Sequence, residues 1–252
     1  MKVVCIGSGN VATHMAAAFK AKGHELVQVW SRTDEHGREL ADSVGAKSIA
    51  NFKEIDADAD LYLIAVKDDA IPSVVSELNG LNGLVVHTSG ATAIDELSSL
   101  TKYGVLYPLQ TFSKHKAIDF SGVPLCIEAR DFACLEELHA IADELSALVY
   151  EVNSEQRKIL HLAAVFACNF VNHLYDMAAQ VLQPQDLNFE LLRPLIMETA
   201  LKVQHDLPAN VQTGPAIRGD EQTMKKHLQL LDQFPHMQHI YQTLSNSIKK
   251  SN

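Results

Sequence analysis

The chain has 252 residues, 31 acidic against 21 basic side chains, and a formal charge of −10. That length can bury one large or two modest cores, and the 47% apolar content is ordinary for a globular protein. The acidic balance without a basic stripe argues against a nucleic-acid partner, and no apolar run reaches the roughly eighteen residues of a membrane span.

Met1–Gly7 turns glycine-rich after an apolar stretch too short for a secretory signal, so the expectation is a soluble, cytoplasmic protein. Four scattered cysteines (Cys5, Cys126, Cys134, Cys168) show no C-x-x-C spacing and read as reduced core residues. His236 and His239 lie three apart on a helical segment. They read as a solvated face, and no metal site is expected.

In chain order, Val3–Ile6 is a short strand ending at glycine, and Val11–Lys22 is an amphipathic helix stopped by Gly23. Leu26–Trp30 is a second strand, and 34–44 a helix with Thr33 in its N-cap position. A short strand at 47–49 precedes Leu61–Val66, whose continuous apolar run suits a strand buried on both faces. Helix 70–78, strand 84–87, helix 94–100 and strand 105–107 follow, then strand 124–128, helix 132–148 and strand 149–152. Strands alternating with short helices predict a doubly wound α/β domain with a parallel sheet.

The pattern changes at Asn153. Segment 159–182 is a long helix closed by Pro184, with Ser154 as the expected cap and apolar residues on almost its whole circumference. Such a helix should be buried, against the first domain or a second subunit. Further helices are expected at 189–192, 195–206, 221–234 and 236–249, with Pro194 and Pro235 where helices start. The expectation is therefore a Rossmann domain over 1–152 and a smaller all-α domain over 153–252.

The sharpest motif is Gly7-Ser8-Gly9-Asn10-Val11-Ala12, placed after a strand and opening a helix. Gly7 permits the tight turn, Gly9 lets a pyrophosphate approach the backbone, and Ala12 keeps helix and strand close. The helix N-terminus offers free amides and a positive dipole end to phosphates. NAD enzymes carry an acidic residue at the tip of the second strand. This chain has Ser31-Arg32-Thr33, whose hydroxyls and guanidinium suit a 2′-phosphate, so NADP is the expected cofactor. Asp34 and Glu35 follow directly and count against it.

Ligands of open α/β sheets bind at the carboxyl ends of the strands. Val66 and Lys67 should pass beside the nicotinamide-side ribose, or else be solvent-facing residues at a helix start. His87-Thr88-Ser89-Gly90 places an imidazole, two hydroxyls and a flexible glycine where the nicotinamide should lie, with Ser89 a cofactor contact and His87 a proton carrier. The bland alternative is a strand-end histidine bonded to backbone. Tyr107, Gln110, Thr111 and Ser113 line either the pocket or a packed loop. His161, Asn169 and Asn172 interrupt the apolar helix. The eight-residue spacing of His161 and Asn169 puts them on one face, to meet substrate or to bond backbone. Arg218, in Gly214-Pro215-Ala216-Ile217-Arg218-Gly219-Asp220, could hold a carboxylate, with Asp220 as a helix N-cap.

These segments together resemble the Rossmann-like proteins with a helical C-terminal domain of unassigned function (the DUF2520 type), a group named as NADP oxidoreductases. The match rests on Gly7–Ala12, Ser31-Arg32, His87–Gly90, Tyr107–Phe112, Asn169 and Gly214–Asp220. More distantly the layout is similar to pyrroline-5-carboxylate reductase and the β-hydroxyacid dehydrogenases. That resemblance implies hydride transfer at a domain interface and helical domains joined in a homodimer. The hydroxyacid dehydrogenases have a catalytic lysine on the long helix. Here Lys158 stands only at its start, followed by His161 and Asn169, which speaks against lysine-assisted alcohol oxidation. Prephenate dehydrogenases have His-Pro where this chain has Tyr107-Pro108.

The reading that follows is an NADP-dependent oxidoreductase acting on a small carbonyl, imine or hydroxy compound bearing a carboxylate. His87 and His161 handle protons, Asn169 orients the substrate and Arg218 anchors it. The competing reading is a non-catalytic NADP-binding sensor or regulatory protein. A transferase using another nucleotide fits Gly9 and Arg32 less well.

Overall fold

The computed structural model describes residues 1–114 and 116–250; the last two residues of the expected helical domain lie outside them. It divides into two compact units, Met1–Cys168 and Asn169 onward.

The first unit opens with β1 (Lys2–Ile6), α1 (Asn10–Ala21), β2 (Glu25–Trp30), α2 (Asp34–Val44), β3 (Lys47–Ile49), β4 (Leu61–Ile64), α3 (Ile71–Ser76) and β5 (Leu84–His87). It continues with β6 (Tyr103–Pro108), β7 (Leu125–Ala129), α4 (Phe132–Leu145), β8 (Val149–Glu151) and α5 (Ser154–Ala164). The strands form one sheet in the order β3-β2-β1-β4-β5-β6-β7-β8, so the winding reverses between β1 and β4. Every residue of β4 and β5 is buried, because helices cover both faces. The two-residue period sorts the strands cleanly. Val3, Cys5, Leu61, Leu63 and Val86 join Met15, Phe19 and Leu138 in one core. Val4, Ile6, Tyr62, Ile64 and Val85 join Ile71, Val74 and Leu97 in the other.

Two strands depart from the expected parallel sheet: β7 runs antiparallel to β6, and β8, parallel to β7, is reversed with it. Among its described residues the β6–β7 connection holds only a short 3₁₀ turn, Phe120–Gly122, where a parallel return needs a crossover. The expected helices at 94–100 and 189–192 are 3₁₀ turns, Ile94–Leu97 and Phe189–Leu192.

The long helix also differs from expectation. Asn153, not Ser154, caps it: the Asn153 side chain accepts from the Gln156 amide at 2.9 Å and Gln156 accepts from the Asn153 amide at 3.1 Å. The Ser154 hydroxyl instead donates to Glu128 at 2.7 Å and accepts from the Ile94 amide. Val165–Phe170 is π-helical and precedes α6 (Val171–Leu182). A π turn inserts an extra residue. Eight residues therefore no longer make two α-turns, and the shared face of His161 and Asn169 does not follow from their spacing. Nor is the helix buried in the single chain: Ile159 is 68% and Leu162 53% exposed.

The second unit adds α7 (Arg193–His205), α8 (Glu221–Leu230) and α9 (Pro235–Lys250) to α6. Asp220 caps α8 by accepting from the Thr223 amide at 3.0 Å, as its position suggested. Met177, Leu231 and Met237 make a small core. Among the described residues no helix is long and apolar enough to cross a membrane.

Candidate active site

A cleft of about 760 Å³ lies at the carboxyl ends of the central strands of the first unit. The β1–α1 turn forms one wall. Gly7 has φ +127°, and a Cβ there would collide with the Ala65 carbonyl, so only glycine fits. Gly9 has nothing within 4 Å of where its Cβ would stand. It occupies the N-cap position of α1 without a side-chain cap, so the first amides of the helix are open to the cleft. Ser8, Asn10 and Val11 line the cleft beside them, while Ala12 is fully buried against the sheet. The Asn10 side chain donates to the Phe112 carbonyl at 2.9 Å, which ties the β6–β7 loop to the helix. A turn that admits no side chain, an open notch beside it and uncapped amides fit a pyrophosphate.

At the tip of β2, Arg32 and Thr33 are exposed and line the cleft. Thr33 holds the N-cap position of α2, but its side chain makes no capping bond. Ser31 is almost buried; its hydroxyl meets that of Ser8 at 2.7 Å and accepts from the Thr33 amide at 3.3 Å. Ser31 thus braces the glycine turn against the strand tip. His36 and Lys114 also line this cleft, two groups the sequence did not mark because neither belongs to a strand-end motif. Arg32, Lys67 and Lys114 give a chain of net charge −10 a locally basic wall, and among the described lining residues Asp68 is the one carboxylate.

At the far end, Val66 and Lys67 follow β4, and Thr88, Ser89 and Gly90 follow β5. The Ser89 hydroxyl accepts from the Ala91 and Thr92 amides at 3.1 and 2.9 Å, which makes a tight turn. His87 is not in this wall. It is fully buried, its Nδ1 accepts from the Ser89 amide at 3.2 Å, and it does not line the cleft. Burial, reinforced by the Arg157 guanidinium, lowers its pKa from the usual 6.5 to about 3, so it stays neutral. The bland reading of His87 is the one its surroundings favour.

His161 does line the cleft, with Tyr107 opposite. The Tyr107 hydroxyl and His161 Nδ1 are 3.0 Å apart and the two rings meet edge to face. Burial first, and then Cys126 and Asp68, push the Tyr107 hydroxyl up to about 12, with Arg157 acting the other way. Gly90 lies directly under this pair: a Cβ there would stand 2.6 Å from His161 Nδ1 and 2.9 Å from Tyr107 Cζ. Its role is clearance, not the flexibility read from the sequence.

Behind the turn sits Arg157, fully buried and absent from the sequence reading. It pairs with Glu128 at 2.5 Å and donates to the Ser89 carbonyl at 3.2 Å and the Thr92 carbonyl at 2.6 Å. No local signal marks it, because its partners come from β7 and from the β5 turn.

Asn169 and Arg218 belong to the second unit and are exposed. Arg218 acts on the neighbouring Asp220, whose carboxyl is held low mainly by the Thr223 amide and hydroxyl. Among the described residues no group of acidic, histidine or cysteine side chains could hold a metal.

A doubly wound sheet, a glycine turn at its switch point and a cleft over its strand ends define a Rossmann-type protein with a helical second unit. The chain belongs to the family carrying the domain of unknown function DUF2520, whose model matches residues 123–248, and a Rossmann-like domain matches residues 1–112. A putative NADP oxidoreductase from Bacteroides fragilis is 44% identical, with a TM-score of 0.95 over 99% of this chain and 98% of its own. A 1-pyrroline-5-carboxylate reductase from Streptococcus pyogenes shares the fold at 12% identity, with a TM-score of 0.65 over 99% of this chain and 98% of its own. So does a reductive aminase from Aspergillus terreus in complex with NADPH, at 14% and 0.71 over 99% and 93%. No curated protein matches the sequence.

Proposed function

We propose that the protein is an NADP(H)-dependent oxidoreductase that reduces or oxidises a small carbonyl, imine or hydroxy compound bearing a carboxylate. The observation that carries this reading is one continuous cleft joining the Gly7–Gly9 turn, the Arg32 strand tip and the Tyr107–His161 pair. The names of the similar structures point the same way.

In this reading the α1 amides and Gly9 hold the pyrophosphate, with Ser8, Asn10 and Val11 beside it and Ala12 packing the helix. Arg32 and Thr33, braced by Ser31, take the 2′-phosphate. Val66, Lys67 and Ser89 flank the nicotinamide end. A reduced nicotinamide, when bound, supplies a hydride to an electrophilic carbon. His161 handles the proton chemistry of the cleft, while His87 supports the turn from behind. Asn169 and Arg218 orient and anchor the substrate, and the helical domain joins two copies in a homodimer. Free thiols at all four cysteines suit a reducing cytoplasm.

Calorimetric titration with NADPH and NADH tests the foundation. NADPH should bind saturably, and Arg32→Ala should weaken it about tenfold or more while barely moving NADH, the loss expected for a charge-assisted phosphate contact. Absence of NADPH binding would remove the reading. Binding without turnover across a panel of small carbonyls and cyclic imines would instead favour the non-catalytic sensor. For Arg218→Ala the expectation is a raised KM for carboxylate substrates.

A further inference from the structure

We propose that Tyr107 is the proton donor of this site, that His161 resupplies its proton, and that Gly90 is the notch that lets the two side chains meet. The inference rests on the oxidoreductase reading and deepens it.

Three independent features place the pair. Tyr107 sits near the end of β6, a strand anchored on both sides by β5 and β7. His161 comes from α5, whose start is fixed by the Asn153 capping box. Gly90 lies on a turn that cannot drift, because Arg157 holds the carbonyls of Ser89 and Thr92 while Glu128 holds Arg157. The pair is therefore positioned by the sheet, the helix start and a clamped loop together. A side chain on residue 90 would occupy the space where His161 Nδ1 approaches the tyrosine.

The chemistry follows from which group can carry what. A buried phenol favours its neutral form, so Tyr107 faces the cleft with its O–H intact. Hydride arriving at the carbon of a C=O or C=N bond pushes the π electron pair onto the heteroatom. That atom takes the proton from Tyr107 as the O–H bond breaks. Nδ1–H of His161 donates to the phenol oxygen and returns a proton to it. Nε2 takes a proton from solvent as Nδ1 gives its own up, so the ring stays neutral, and the sum is one hydride from NADPH plus one proton from solvent, giving an alcohol or amine. The charged groups acting on the Tyr107 hydroxyl are Arg157 behind the turn and Asp68 after β4, with the Cys126 thiol on β7 beside the phenol. The arrangement donates a proton without a catalytic carboxylic acid or lysine.

Two readouts test this. The first is turnover of NADPH with a small cyclic imine and with an α-keto acid as probes, in wild type, Tyr107→Phe, His161→Gln and Gly90→Ala. Tyr107→Phe should lower kcat by on the order of 100-fold or more, as loss of a general acid does, with NADPH affinity retained by calorimetry. The second needs no substrate: ¹⁵N-resolved NMR of the His161 ring nitrogens in the whole protein with and without NADP⁺. Tyr107→Phe and Gly90→Ala should each shift the Nδ1 resonance. If NADPH binds and turnover survives in Tyr107→Phe, the donor assignment falls while the oxidoreductase reading stands. If Nδ1 does not respond to either substitution, the pair does not exist in solution and the inference is overturned. If NADPH fails to bind, the parent reading fails first.

Discussion

Single residues set the most stringent conditions in this molecule. Arg157 is wholly buried, and only its Glu128 partner and three oxygen acceptors make that tolerable. Arg157→Met should leave Glu128 beside the protein interior without its partner and release the Ser89–Thr92 turn. A loss of about 3 kcal/mol or more is expected, read from the urea midpoint. His87 makes a different demand. Its pKa falls from 6.5 to about 3 on folding, so between those values the unfolded chain binds the extra proton. Stability is therefore complete above about pH 6.5 and declines as the pH drops toward 3, by up to ~1.4 kcal/mol per pH unit from this residue. Unfolding curves of wild type and His87→Gln across that window should diverge at low pH, with the variant the flatter; parallel curves would contradict a neutral buried imidazole. Gly7 was legible in the sequence because its positive φ and the Ala65 carbonyl admit almost no other residue, and Gly9 because it recurs at the spacing a pyrophosphate turn needs. Arg157–Glu128 and Tyr107–His161 were not, because each pair joins residues far apart in the chain, and only the sheet brings them together.

At the scale of elements, the strands were readable and the long helix was misread. The all-buried β4 announced itself as a continuous apolar run, and β5 was read as a strand at its observed bounds, Leu84–His87. The reversal of β7 was invisible because a strand's direction is set by what connects it, and the 109–124 connection carries no periodicity. In the long helix, apolar residues on every side gave no phase, so nothing signalled the π turn at Val165–Phe170. The cap was misplaced by one residue because Asn153 and Ser154 are both good caps, and only the reciprocal Gln156 bond separates them. Asn153→Ala should destabilise the protein by about 1 kcal/mol, while Ser154→Ala should act through the Glu128–Arg157 network. Thermal unfolding of the two single variants and of each combined with Arg157→Met distinguishes the roles: only Ser154→Ala should couple to Arg157.

For the whole molecule, the distribution of apolar surface is uneven. The first unit has two well-filled cores. The second leaves Leu191, Leu195, Met197, Leu207 and Leu230 each at least 60% exposed around a small core. Side chains this exposed fit the homodimer proposed above, with a second copy as their occupant. Sedimentation equilibrium should return twice the chain mass, and Leu195→Glu should shift it toward the monomer. A wild-type monomer at all concentrations would leave that surface to some other partner.

Every described residue that walls the cleft, from Gly7 to His161, precedes the division at Cys168. Mutations beyond that division can rewrite the final third of the chain without altering one described wall residue. Substitutions confined to the second unit should therefore leave nucleotide affinity unchanged, and a calorimetric titration of such variants checks it.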